Sequence, residues 1–124
     1  LDPHFLEFIE ELKSLMRLTF RTNNQLTIPI SGPGSAGMEA CFVNLIEPGD
    51  KVVVCINGFF ALRMQDIAQR CGAEVICLYG KWGEAIDQEQ LIDVLQKNPD
   101  VKIVAFVHAE TSTGVLSDAE AISK

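Results

Sequence analysis

Residues 51–56 read Lys-Val-Val-Val-Cys-Ile, a β-branched run too continuously apolar for a strand with one face in water. Such a strand belongs inside a sheet covered by helices on both sides, and the rest of the chain supplies helices and strands in alternation. Asp2-Pro3 has the form of an N-cap followed by proline at the first helical position, and Phe5, Phe8, Ile9, Leu12, Leu15 and Met16 recur at helical spacing, which predicts an opening helix over 2–20. Gln25 to Ile30 reads as a short strand and Ser35 to Ile46 as a helix, with Glu47-Pro48-Gly49-Asp50 as the turn into the apolar strand. Beyond it the periodicity predicts a helix over Phe59 to Arg70 ending before Gly72, a strand over Glu74 to Leu78, a connection over Tyr79 to Ile86, a helix over Asp87 to Lys97 and a strand over Lys102 to Val107. The alternation predicts an α/β fold, a three-layer αβα stack on a mainly parallel sheet, and 124 residues fit a single domain.

Ligands of parallel sheets bind at the carboxyl ends of the strands, which directs attention to Ser31–Ser35, Asn57–Phe60 and His108–Gly114 and predicts that the three converge on one cleft. The first spells Gly32-Pro33-Gly34-Ser35-Ala36-Gly37, formally G-x-G-x-x-G. A dinucleotide site would also need an acidic residue closing the next strand, where Asn57 stands instead. The shared physics survives that mismatch: glycines admit an anion close to the backbone, and a helix start offers unpaired N–H groups. A plain tight turn explains the same residues, and both readings stay open. Phe59 and Phe60 either present a ring to a ligand or join the core. Thr111, Ser112 and Thr113 either donate hydroxyls to a ligand or satisfy their own backbone, while Glu110 braces the loop or pairs with His108. A Ser-His-acid hydrolase lacks the G-x-S-x-G elbow that would expose its nucleophile.

Charge narrows the partners. Seventeen acidic against ten basic side chains give a net charge of -7, with no Lys/Arg cluster to hold a phosphate backbone, so nucleic acid is not expected. No apolar run approaches the roughly 20 residues of a membrane span, and the N-terminus does not read as a leader. Cys41, Cys55, Cys71 and Cys77 form no C-x-x-C pair and have no histidine at ligand spacing, which argues against zinc. Each lies in an apolar stretch, consistent with reduced, structural thiols in a cytoplasmic compartment.

Four segments taken together, Ser31-Gly32-Pro33-Gly34-Ser35 with Glu39-Ala40, Glu47-Pro48-Gly49-Asp50, Asn57-Gly58-Phe59-Phe60 and His108 to Val115, resemble in order and spacing the class V, fold-type I pyridoxal-phosphate aminotransferases. The alanine-glyoxylate and serine-glyoxylate (serine-pyruvate) branch is the most similar. The resemblance implies pyridoxal 5'-phosphate as cofactor, with the phosphate held at Pro33, Gly34 and Ser35, the pyridine ring stacked on Phe60 and Thr111 touching the cofactor near substrate. Pro33 stands where a small hydroxylic residue is common, Ser35 where some relatives carry histidine, Phe60 where tryptophan is usual and Ala109 where asparagine or glycine is. It further implies transfer of an amino group from a small amino acid, alanine or serine, to the 2-oxo acids glyoxylate or pyruvate, in a homodimer. Two other readings remain: a Rossmann-like nucleotide module using Gly32 to Gly37, and another class V enzyme such as a cysteine desulfurase. A pyridoxal enzyme also needs a lysine for its cofactor and an acidic partner for the pyridine nitrogen. Lys13, Lys51, Lys81, Lys97, Lys102 and Lys124 are read on helix faces, turns, strand starts or the terminus, none in a carboxyl-end loop. The expectation is therefore a partial large domain over 1–124, without the catalytic lysine or the small C-terminal domain, and inactive alone.

Overall fold

The computed structural model describes residues 2–123 and divides into two compact units that meet in sequence between Ala36 and Gly37. In the first, α1 spans Pro3–Thr19, and the Asp2 carboxylate accepts the His4 N–H at 2.8 Å, the cap its sequence foretells. Arg17, in the last turn, donates to the carbonyls of Asn24 and Gln25 at 3.0 and 2.8 Å, which fixes the departing chain. The strand expected over Gln25 to Ile30 does not form. A strand requires a hydrogen-bonded neighbour, and none of the described residues pairs with this segment, whose Leu26, Ile28 and Ile30 all stay exposed. Helix α2, Gly34–Leu45, begins at the end of this unit.

The second unit is built on β1 (Lys51–Ile56), β2 (Glu74–Tyr79) and β3 (Val101–Ala105), all parallel in the order β2-β1-β3. Val52 through Cys55 have no exposed surface, as their apolar continuity requires. From β1 the chain crosses through α3 (Phe59–Arg70) to one neighbour, then through α4 (Gln88–Lys97) past β1 to the other. Because parallel crossovers are right-handed, steps in opposite directions place their helices on opposite faces. The two cores follow that division. Val52, Val54 and Ile56 pack with Ala61 and Ala68 of α3 and Phe42 of α2, whereas Val53 and Cys55 pack with Leu91 of α4. This is the three-layer αβα arrangement. A short antiparallel hairpin, β4 (Ala109–Glu110) and β5 (Val115–Leu116), precedes α5 (Ala119–Ile122); the sequence reading contained neither strand.

At the amino-terminal edge of the sheet, Lys51 meets Asp100 at 2.8 Å and Lys102 meets Asp50 at 2.6 Å, two ion pairs between the starts of β1 and β3. The thiols differ more than expected. Cys55 is buried, Cys71 and Cys77 are half-buried, and Cys41 is exposed, at the rim of an apolar groove that it shares with Phe42 and Ile103. No helix of the described residues is long and apolar enough to cross a membrane.

Candidate functional site

The carboxyl end of β1 is Asn57-Gly58, followed at once by α3. Gly58 is the N-cap of α3 and has no side chain with which to cap it. The partners of the first-turn amides come instead from residues some 50 positions later: the Phe59 N–H donates to Ser112 Oγ at 3.0 Å and the Phe60 N–H to Glu110 Oε2 at 3.2 Å. Glu110 is fully buried, and its Oε1 accepts both the Ser112 N–H at 3.1 Å and the Ser112 hydroxyl at 2.6 Å. A carboxylate at a helix N-terminus is stabilised by the unpaired N–H groups and the helix dipole, which offsets part of its burial cost. Glu110 therefore braces the loop, as one of its two expected roles had it.

This arrangement brings Asn57–Phe60 and His108–Gly114 together, two of the three loops expected to converge. The Ser31–Ser35 loop belongs to the first unit. Of the three hydroxyls in the later loop, Ser112 is spent on Glu110 and on the Phe59 amide, and Thr113 Oγ1 leans on the Glu110 carbonyl at 3.4 Å. Thr111 is exposed, and among the described residues its hydroxyl has no partner. The aromatic pair stays out of both cores: Phe59 is 51% exposed, Phe60 half-buried, and their rings stand edge to face at 6.4 Å with the Arg63 guanidinium within 6.0 Å of both. Phe60 and Thr111 thus keep the exposure a ligand would need, and Thr111 directly follows the residue that holds the Phe60 amide.

In the first unit, Pro33 is exposed and its carbonyl accepts the Ala36 N–H at 2.8 Å, so the turn closes directly into α2. No neighbouring atom lies within 4 Å of where a Cβ on Gly34 would stand, which leaves its backbone open to approach. Ser35, the next residue, is half-buried.

One carboxyl-end loop escaped the sequence reading. The connection after β2 carries Lys81, so a lysine does occupy such a loop. It is ion-paired with Glu84, whose carboxylate raises the ammonium pKa; this is the reverse of what a nucleophilic lysine needs. Beside it, Asn57 is fully buried at a cavity of about 170 Å3, its Nδ2 donating to the Glu84 carbonyl at 3.0 Å and its Oδ1 without a partner among the described residues. Lys124 lies outside the described residues.

The comparisons with known proteins agree on one family. The sequence matches the family described as Aminotransferase class-V over residues 2–124. The chain belongs to the class-V aminotransferases. It is 40% identical over 123 residues to the (S)-ureidoglycine–glyoxylate transaminase of Bacillus subtilis, covering 99% of this chain and 29% of that protein. To the alanine–glyoxylate aminotransferase of Mus musculus it is 35% identical over 116 residues, 94% of this chain and 28% of that one. The crystal structure of alanine–glyoxylate aminotransferase from Nostoc sp. superposes with a TM-score of 0.89 at 44% identity, over 94% of this chain and 30% of that chain. The chain thus spans less than a third of the length of these class-V relatives. The family generally implies pyridoxal phosphate, and the residues present fit that group in part by exclusion. The N-terminus of α3 is already filled by the Glu110 carboxylate, so a phosphate has no place there, whereas the Gly34 backbone at the start of α2 is open.

Proposed function

We propose that this chain is the amino-terminal part of the large domain of a pyridoxal-phosphate-dependent aminotransferase that moves an amino group from a small amino acid, such as alanine or serine, to glyoxylate or pyruvate. The observation that carries the reading is the identity of 34 to 44% with relatives whose names specify glyoxylate as amino acceptor. Pyridoxal phosphate, when bound, supplies the electron sink that lets an amino acid lose its α-proton. In this reading the chain's own residues bind and orient. Gly34 and Ser35 would offer donors to the phosphate, with Pro33 contributing no N–H; Phe60 would offer its ring face to the pyridine, and Thr111 its hydroxyl to the cofactor.

The open edge of the sheet supports a larger domain. Parallel sheets are covered on both faces, yet β3 is an edge strand beside an apolar groove of about 320 Å3 between Phe42, Met64 and Ala105. Further strands of a longer polypeptide would cover it. The reading also places the protein as a homodimer in the cytoplasm, in keeping with its unpaired cysteines. The test is an amino-donor panel on the full-length gene product, freed of cofactor and then reconstituted. Glyoxylate should be converted to glycine with alanine or serine as donor only after pyridoxal phosphate is restored. A preparation that binds the cofactor but consumes no oxo acid with any donor, or that releases sulfur from cysteine, would overturn the assignment.

A further inference from the structure

Glu110 is the largest fully buried polar side chain of the described residues, and the sequence left it two roles, to brace its loop or to pair with His108. Its two oxygens serve different elements. Oε2 takes the Phe60 N–H at the start of α3; Oε1 takes the amide and hydroxyl of Ser112 in the turn after β4. The turn itself closes on the same residue, whose carbonyl accepts the Gly114 N–H at 2.9 Å. Gly58 permits this approach, because any Cβ there would stand 2.3 Å from Glu110 Cγ. The backbones of Phe60 and Thr111 are consequently tied to one residue, Phe60 by a hydrogen bond to the Glu110 carboxylate and Thr111 by its peptide bond to the Glu110 main chain.

We propose that Glu110 is a positioning residue of the cofactor site, whose buried carboxylate, bridging the α3 N-terminus and Ser112, holds the segments that carry the Phe60 ring and the Thr111 hydroxyl in register with each other. The proposal rests on the functional reading above. It follows from chemistry that only a carboxylate meets here: every group facing Glu110's oxygens is a donor, two backbone N–H groups and one hydroxyl. A glutamine would turn an NH2 toward one of those donors and lose at least one bridge without a change in volume. Ser112 is the second half of the device, since its hydroxyl links Glu110 Oε1 to the Phe59 amide.

The experiment compares the full-length protein with its Glu110→Gln, Ser112→Ala and Ser112→Thr variants by pyridoxal phosphate titration, by visible circular dichroism at saturating cofactor, and by hydrogen exchange of the peptides carrying residues 57–62 and 88–97. Glu110→Gln should weaken cofactor affinity about tenfold, reduce the cofactor's induced dichroism, and speed exchange in 57–62 while 88–97 stays protected. Ser112→Ala should do the same more mildly, and Ser112→Thr, which keeps the hydroxyl, should restore wild-type affinity. Should Glu110→Gln fail to fold, the Ser112 pair decides. Unchanged affinity and dichroism despite faster exchange in 57–62, or equal losses in Ser112→Ala and Ser112→Thr, would overturn the positioning role. A wild-type protein that binds no cofactor would overturn the functional reading and this inference with it, an outcome distinct from a wild type that binds and variants that bind equally well.

Discussion

A Cβ on Gly58 would stand 2.3 to 2.7 Å from the Cγ, Cδ and Oε2 of Glu110, and the backbone there is extended, so this glycine is required for space and not for its torsion angles. Gly58→Ala must push the buried carboxylate off the α3 N-terminus and should lower the unfolding free energy by about 1–3 kcal/mol in a urea titration. Gly34→Ala is the control: its Cβ enters open space at a helix start, so the urea midpoint should hold or rise. Pro33→Ser restores an N–H and a hydroxyl beside the proposed phosphate, and should tighten pyridoxal phosphate binding by roughly 0.5–3 kcal/mol; unchanged or weaker affinity would place Pro33 away from the phosphate. The thiols separate by burial. Desolvation pushes Cys55 up to about 11, so at pH 8 iodoacetamide should spare Cys55 in the native protein and reach it only on unfolding, as peptide mapping would read.

Among the elements, the two ion pairs at the amino edge of the sheet give a pH dependence with a definite sign. The Lys102 ammonium, with the Glu47 amide, holds the Asp50 carboxyl below the ordinary aspartate range, and the Lys51 ammonium does the same for Asp100. Groups whose folded pKa is depressed contribute stability that is present above the unfolded aspartate pKa, about 3.9, and lost as pH falls through the folded value. Stability should therefore fall below pH 4. The fall should be shallower in an Asp50→Asn, Asp100→Asn double variant, and added salt should weaken the contribution because both pairs are solvent-accessible. An unchanged acid limb in the variant would assign the loss to other carboxylates. The elements that sequence revealed are those whose signals are local. Asp2-Pro3 caps α1, the valines of β1 demand burial, and Phe59 to Arg70 is a helix of the expected bounds. Gln25 to Ile30 has the composition of a strand, but pairing is a long-range property that composition does not carry. The β4–β5 hairpin, at two residues a strand, is too short for any periodicity to register. The bracing role of Glu110 is legible in the loop, but its burial is not, because a carboxylate among polar residues looks solvated until its donor at Phe60, fifty residues earlier, is found. The absence of a capping side chain at Gly58 was the one local hint.

At the scale of the whole molecule, family membership extends across residues 2–124, while the proposed function gives the described residues binding and orienting roles and leaves the covalent cofactor lysine to be located. Lys51 is paired with Asp100 and Lys81 with Glu84, both held protonated by their partners; Lys13 is paired with Glu10 and Lys102 with Asp50; Lys97 lies in the last turn of α4. A covalent site needs an amine that loses its proton near neutral pH, usually by desolvation or a neighbouring cation, and the carboxylates beside Lys51 and Lys81 act in the opposite direction. Under the proposed function, the reactive lysine lies in a part of the polypeptide outside this segment. Borohydride reduction of the full-length protein loaded with pyridoxal phosphate, followed by peptide mapping, tests this most directly. One stoichiometric pyridoxyl label on a lysine beyond residue 124 is the expected result, with Lys13, Lys51, Lys81, Lys97 and Lys102 carrying only trace modification; a stoichiometric label on any of those five, or no stoichiometric label at all, would contradict it.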